Sequence, residues 1–401
     1  MTLPLIVYRS LRQHALSTLV TAGSIALAAG LLMVVWMVKE QSQKAFLETS
    51  TGFDAVLGAR GSKLQLVLNS IFHLEASPGN ISAADYDQIK KHPAVKAAIP
   101  LALGDNYLGY RIVGTAEELF TTVEYSPGKR YQLQGGGRWF AAGQREAVVG
   151  SFVAARLGLK AGDTFQPYHG LAFDAKAQHE EVYTVTGVLA PTNTPTDKVL
   201  WIPLSGIQTM KGHDPRTATD VSAVLIQLRS PTAGFMLDLM YNKQGNRLTL
   251  AYPVAAIIAD LFGKIGWFDR VLALVAYLVA LVAAGSVLAS IYASMSARRR
   301  DLAILRALGA RRRTIFGAVV AEAAVIGALG AVLGFAVYFG LLAAVANVIR
   351  TQTGVTIDIL AGHPVLWIAP LGMVALCAAG GVVPALKAYR VPVAETLSPT
   401  S

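Results

Sequence analysis

Four stretches of this chain are long and apolar enough to cross a lipid bilayer, and their spacing constrains the fold more than any other feature. No Lys, Arg, Asp or Glu lies between Arg12 and Lys39, or between Arg270 and Arg298. A third window runs from Arg313 to Arg350, broken only by Glu322, and a fourth spans Leu366 to Leu386. Each holds the roughly 20 residues that a helix needs to cross the hydrocarbon layer. The windows come as one, then a long hydrophilic segment, then three in succession. That order predicts a membrane protein with a large domain inserted after its first span.

Composition agrees with this reading. Of 401 residues, 53% are hydrophobic and 15% charged, where a soluble chain carries roughly a quarter charged; the mean hydropathy is +0.46. A formal charge of +10 would suit nucleic acid, but the charge is distributed topologically and no nucleic-acid partner is expected. Arg9 and Arg12 precede the first window, seven arginines lie from Arg298 to Arg313, and Lys387 and Arg390 follow the fourth window. Only Asp301 and Glu395 oppose these eleven cations, whereas 23 Lys and Arg face 21 Asp and Glu between Lys39 and Arg270. Short loops rich in Lys and Arg stay on the cytoplasmic side. Both termini and the arginine loop are therefore expected in the cytoplasm, with the large segment outside.

The first window lacks a small-residue cleavage site and reads as an anchor rather than a removable leader. Before it, Leu5, Ile6, Tyr8 and Leu11 alternate with Arg9, Arg12 and His14, a pattern suited to a helix lying along the inner leaflet. The single cysteine, Cys377, sits in an apolar run, so neither a disulfide framework nor a thiolate metal cluster is available.

The hydrophilic segment reads as an α+β domain in two lobes, opened by a helical continuation of the first span from Lys39 to Thr51. Ser82 to Lys91 has a capping serine and reads as a helix ending before Pro93. Ser151 to Leu159 reads as a second helix, closed by Gly158 or Gly162. Tyr107–Gly114, Glu146–Gly150, Glu181–Leu189, Lys198–Pro203 and Ala223–Leu228 carry the β-branched and aromatic runs of strands. Tyr252 to Lys264 reads as a helix leading back to the membrane. The expected divisions are residues 1–38 (interfacial helix and first span), 39–267 (external domain), 268–297 (second span), 298–313 (central loop) and 314–401 (third and fourth spans with the tail).

The central loop, RRRDLAILRALGARRR, places Leu302, Ile304, Leu305 and Leu308 among its arginines. Leu302, Leu305 and Leu308 share one face of a helix, and Gly309 offers a helix stop. Such a short basic amphipathic helix suits a cytoplasmic loop gripped by a partner. Glu322, the one carboxylate at membrane depth, suggests a structural or coupling role rather than a proton path. Gly330 and Gly334 form a small-xxx-small pair that permits close helix contact; packing within one chain is favoured over a seal between copies. The 36-residue third window exceeds one crossing, and part of it is expected to lie along the outer interface.

Other motifs carry little. Gly58 to Lys63 (GARGSK) lacks the spacing of a phosphate loop. His169, His179, Glu180 and Glu181 come closest to a metal cluster, but their spacing matches no standard site, and they read as solvated loop residues. With no nucleophile elbow or paired-histidine motif, the chain is not expected to be an enzyme.

Two sets of residues resemble a known family. RRRDLAILRALGARRRTIFGAVVAEAAVIGALGAVLG (Arg298 to Gly334) resembles the signature of FtsX-like permeases, the membrane subunits of MacB-type (type VII) ABC transporters. There a basic stretch, an acid and an ILRALGA core precede a span with a Glu and a glycine series. The tail VPALKAYRVPVAETL, Val383 to Leu397, and the N-terminal YRSLRQHALSTLVTAGSIALAAGLL also fit. GRWFAAGQREAVVGSFVAARLGLKAGDTF, Gly137 to Phe165, and YTVTGVLAPTNTPTDKVLWIPL, Tyr183 to Leu204, are similar to the MacB-like periplasmic core domain. The stretch Thr51 to Asn80 departs from the family pattern, so substrate choice is assigned there.

The resemblance implies a fold of four transmembrane helices around a large periplasmic domain, in a bacterial inner membrane. It implies an ATPase-coupling segment at Asp301, Ile304, Leu305, Arg306, Leu308, Gly309 and Ala310. It further implies a separate ABC ATPase subunit carrying the ATP and Mg, a second permease copy or a paralogue as dimer partner, contact with membrane lipids, and a periplasmic adaptor or substrate protein. The activity implied is mechanotransmission for export or extraction of a lipoprotein, lipid, peptide or small toxic compound. The alternative is a non-transporting regulator that activates a periplasmic hydrolase or adaptor, or senses antimicrobial peptides.

Overall fold

The structure, a computed structural model, describes residues 3–48, 52–212, 215–297, 304, 307 and 309–389. The chain divides into two compact units. One comprises residues up to Gln41, Gly266–Asn347 and the chain from Asp358 on; the other comprises Ser42–Ile265 with Val348–Ile357.

α1 (Leu3–Gln13) is the amphipathic helix expected at the N-terminus. α2 (Ala15–Glu48) begins after His14 and runs for 34 residues, well beyond a single crossing. The inserted domain starts with β1 (Ala55–Ala59), α3 (Lys63–Ser70), α4 (Ala83–Lys90), β2 (Val95–Tyr107), β3 (Tyr110–Thr115) and α5 (Glu118–Thr121). There follow β4 (Glu124–Ser126), β5 (Lys129–Arg130), β6 (Leu133–Gln134), β7 (Glu146–Val149), α6 (Ser151–Leu157), β8 (Thr164–Phe165), β9 (Tyr168–His169) and β10 (Tyr183–Leu189). β11 (Leu200–Pro203), α7 (Leu204–Gln208), β12 (Ala223–Leu228), α8 (Pro231–Asp238) and β13 (Leu248–Ala251) complete it.

Eleven of these strands share one sheet, and β4 and β5 pair separately. One mixed sheet runs β13-β1-β12-β2-β3-β11-β7-β10-β6, with β8 on β10 and β9 on β2. β3 pairs with β11 and β7 with β10 in parallel, and the remaining pairings in this sheet are antiparallel. Side chains alternate across a strand, and the core divides accordingly. Val56, Ile99, Leu101, Val148 and Trp201 point to one face, into a cluster around Phe120. Their neighbours Ala55, Leu57 and Ala98 fill a second cluster, and Ala147, Val149, Leu200 and Ile202 a third, both on the opposite face. Phe120 stacks on Trp139 at 5.0 Å and meets Trp201 edge-on at 5.6 Å, geometries that add to simple burial.

Local chemistry explains the ends of the elements. Ser82 and Asp85 close a reciprocal capping box on α4, and Gly158 ends α6 in the left-handed region, φ 71°. GARGSK forms the end of β1 and the cap of α3, where Ser62 Oγ accepts from the Gln65 amide. The single strand expected at Tyr107–Gly114 is instead a hairpin. Leu108 and Gly109 turn the chain at φ 50° and 85°, with Tyr107 opposite Tyr110, as a two-residue hairpin turn requires.

In the other unit, α9 (Val254–Ala297) from Gly266 on, α10 (Arg312–Thr353) as far as Asn347 and α11 (Val365–Tyr389) join α1 and α2 as far as Gln41. α2, α9, α10 and α11 are each long and apolar enough to cross a membrane. α10 is one unbroken helix of 42 residues; no part of it turns aside, and its end from Val348 belongs to the domain unit. α10 packs through glycines on two sides. A Cβ on Gly330 would lie 2.5 Å from the Ile25 Cβ, and one on Gly334 3.0 Å from the Ala29 Cβ. On its other flank a Cβ on Gly327 would lie 2.9 Å from the Cys377 Cβ.

Candidate functional site

Part of the segment that the sequence assigns to coupling lies outside the described residues: Asp301, Leu305, Arg306 and Leu308. Ile304 and Ala307 are helical and exposed, and their spacing of three puts them on neighbouring positions of one helix surface. Gly309 adopts φ +94° with nothing within 4 Å of where a Cβ would be, so its glycine serves the backbone bend rather than a close contact. Ala310 follows, and α10 begins at Arg312.

Glu322 lies one side-chain length from α1. Ser10, itself buried, donates its hydroxyl to Glu322 Oε1. Gly330 and Gly334 both face α2 within this chain. Sequence pattern pointed to each of these residues; the partner of Glu322 was invisible to it.

A second feature of the helical unit is an apolar groove of about 440 Å³ among α2, α9 and α11, lined in part by Leu32, Trp36, Tyr277, Val365, Ile368 and Met373. His363, at its edge, meets the Glu40 carboxylate at 2.5 Å.

In the domain unit His169 and Glu180 are exposed, as solvated loop residues would be, but their neighbours are not. His179 and Glu181 are buried. Glu181 accepts from the Lys211 amide, while the exposed Glu180 pairs with the Lys211 ammonium at 2.6 Å. His169 and His179 converge instead on Asp105, a residue of β2 that sequence reasoning passed over. Asp105 stands 74 positions from His179 and no local spacing connects them.

Charge placement elsewhere in the domain is local. Arg247 grips Asp85 through both guanidinium nitrogens, and this holds the Asp85 carboxyl below the usual carboxylate range. Lys198 donates to the carbonyls of Thr351 and Gln352, both at 2.6 Å, satisfying acceptors at the C-terminus of α10.

A mixed-sheet domain inserted in sequence between the first and second of four membrane-length apolar helices defines a multi-span membrane protein of the permease class. Residues 15–234 match the model of the MacB-like periplasmic core domain, and residues 273–393 that of the FtsX-like permease C-terminal region. The chain belongs to this family, the FtsX-like, MacB-type permeases of ABC transporters. Among solved structures it is similar to the extracellular domain of the noncanonic ABC-type transporter YknZ from Gram-positive bacteria. That match has 16% identity and a TM-score of 0.32, covering 49% of this chain and 99% of the other. The periplasmic region of MacB from Actinobacillus actinomycetemcomitans is similar at 12% identity and a TM-score of 0.35, covering 54% of this chain and 94% of that one. No curated protein matches the chain.

Proposed function

We propose that this chain is the permease subunit of an ABC system that works by mechanotransmission. ATP and Mg bind a separate ATPase subunit, two permease copies (or this chain and a paralogue) form the membrane core, and motion of the ATPases is delivered to the α/β domain. The observation that carries this reading is the continuity of α2 and α9: helices of 34 and 44 residues with no break between their membrane-length and domain portions. An unbroken α-helix transmits a push or a rotation along its axis, at a rise of about 1.5 Å per residue.

The arginine segment is the natural grip. On a helix its apolar residues would enter a groove on the ATPase, as amphipathic helices do, and its arginines would meet an acidic rim or lipid phosphates. The distribution of Lys and Arg supports a cytoplasmic position for this segment and both termini at a bacterial inner membrane, with the domain in the periplasm. Glu322 is the one carboxylate within the apolar windows, which offers no chain of polar groups for a substrate path. The cargo, a lipoprotein, lipid, peptide or small toxic compound, is accordingly handled on the periplasmic side.

Co-purification with the ATPase tests the reading. Leu308→Asp or Gly309→Pro is expected to abolish ATPase association while leaving membrane insertion intact; retained association in both variants would sink it. Stimulation of the complex in nanodiscs by a lipid or lipoprotein supports transport. Capture of a periplasmic protein without such stimulation would favour the regulatory reading instead.

A further inference from the structure

We propose that Asp105, His169 and His179 form a binding site for one divalent transition-metal ion, of the kind that takes zinc. This inference is independent of the transport reading. Asp105 lies in β2, between β3 on one side and β9 on the other, where it sits opposite Ile112 and His169. The register of β2 shifts between Leu103 and Asp105, and a bulge of this kind re-aims the side chains beside it. His169 and His179 are brought together by their own backbone. The His169 amide donates to Ala177 O at 2.7 Å and the His179 amide to Pro167 O at 2.9 Å, with Tyr168 bridged to Gln178 between them. Both imidazoles thus rise from one narrow antiparallel pair laid against β2.

The contacts of both imidazoles with Asp105, one of them a long hydrogen bond, match the spacing of ligands around one ion. His169 Nδ1 and His179 Nε2 each lie 3.4 Å from the same oxygen, Asp105 Oδ1, and the three donor atoms all fall within 4.8 Å of one another. A charge-assisted N–H to carboxylate bond closes to about 2.7–2.9 Å. Ligand atoms about 2.0–2.1 Å from a tetrahedral zinc ion are, by contrast, separated by about 3.4 Å. The two rings are 5.5 Å apart and inclined at 75°, so they converge on a point without stacking on each other.

The donor set has a chemical preference. Two imidazoles and one carboxylate suit Zn, Cu or Ni better than Mg or Ca, which take oxygen-rich sites. Asp105 is fully buried and His179 nearly so, while 57% of the His169 side chain is exposed, which gives an ion a way in from solvent. Three protein ligands leave a fourth position open. It would be taken by water or by a small ligand from the adjoining polar pocket of about 350 Å³, which His169, Gln208, Asp220 and Ser222 help to line. Metal binding would fasten the segment carrying both histidines to the centre of the sheet.

The test uses the untagged full chain in detergent, stripped with a chelator and titrated with ZnCl2 by calorimetry, with Co2+ absorption as a geometric probe. The expected result is one saturable Zn2+ site per chain and a tetrahedral Co2+ spectrum. His169→Ala, which removes a mostly exposed side chain, should weaken Zn2+ binding by about a hundredfold or more, at or beyond what losing an outer-shell partner does. His179→Ala and Asp105→Asn should do the same, and His92→Ala should leave binding unchanged. Absence of saturable Zn2+ binding, or equal binding in wild type and in folded His169→Ala, would overturn the proposal.

Discussion

Ser10 and Glu322, 312 positions apart in sequence, are joined by a hydrogen bond from the serine hydroxyl to the carboxylate. The bond ties α1 to α10 at the only carboxylate among the apolar windows. Hydrogen bonds to charged groups contribute about 1.5–3 kcal/mol, and leaving one partner unsatisfied costs more than the bond itself contributes. Ser10→Ala is therefore expected to destabilise the helical unit. A double-mutant cycle with Glu322→Ala should show a coupling of about 1 kcal/mol or more; strict additivity would show that the contact contributes nothing. Glu322→Gln preserves shape and an acceptor oxygen, so it should insert normally while weakening ATPase coupling in the assembled complex. Unchanged activity would reduce Glu322 to a passive support.

Gly330 and Gly340 lie on the same helix and should respond in opposite ways to one added methyl group. A Cβ at Gly330 would approach Ile25 Cβ to 2.5 Å and Ala22 O to 2.8 Å, whereas one at Gly340 meets nothing within 4 Å. The first neighbours belong to α2 and part of the clash is with backbone, so relief requires the helices to separate. Overpacking of this kind costs about 1–3 kcal/mol. Gly330→Ala should lower the melting temperature in detergent and Gly340→Ala should not. The single cysteine, Cys377, is buried, so its reaction with a thiol-specific dye on heating reads this directly. Equal melting of the two variants would contradict the packing.

The four long helices were legible because each contains a long window with no charge or, in α10, only Glu322. Much of the sheet was not. β2 reads VKAAIPLALGDNY, where Lys, Pro, Gly and Asp interrupt the alternation that marks a half-buried strand. Leu108 hid the hairpin turn, since a leucine seldom adopts φ 50°. β1 and β13, of five and four residues, are buried throughout or nearly so, and they carry no polar face to set a period. The glycine pair and Glu322 stood out by residue type, while the Ser10 and Asp105 contacts are long-range and leave no mark on local sequence.

Lys198 fastens the end of α10 within the domain unit. Its ammonium donates to the Thr351 and Gln352 carbonyls and lies 5.9 Å from the Phe152 ring centre. A cation near a helix C-terminus is favoured by the dipole as well as by the hydrogen bonds. Lys198→Met keeps most of the apolar stem and removes both bonds. A loss of about 1.5 kcal/mol corresponds to about a tenfold change, which should appear as faster amide hydrogen exchange in 351–355. Unaltered exchange there would show that Gly354 and the helix itself suffice to hold the turn.

His73 should make the domain sensitive to acid. The ring meets Trp201 edge-on at 5.5 Å, and its Nδ1 has no hydrogen-bond partner among the described residues. Burial, reinforced by the Arg111 guanidinium, pushes its pKa down from 6.5 to about 3. Between these values the unfolded chain binds a proton that the folded chain refuses. Stability is thus fully present above pH 6.5 and declines as pH falls toward 3, by about 1.4 kcal/mol for each pH unit well inside the window. His73→Asn removes the titration and suits the left-handed backbone at φ 54°, which asparagine tolerates. It loses some packing at neutral pH, so the informative quantity is the slope. Denaturant unfolding at pH 7 and at about pH 5 should show a stability drop smaller by about 2 kcal/mol in the variant than in the wild type. Parallel slopes would mean that His73 is protonated in the folded domain.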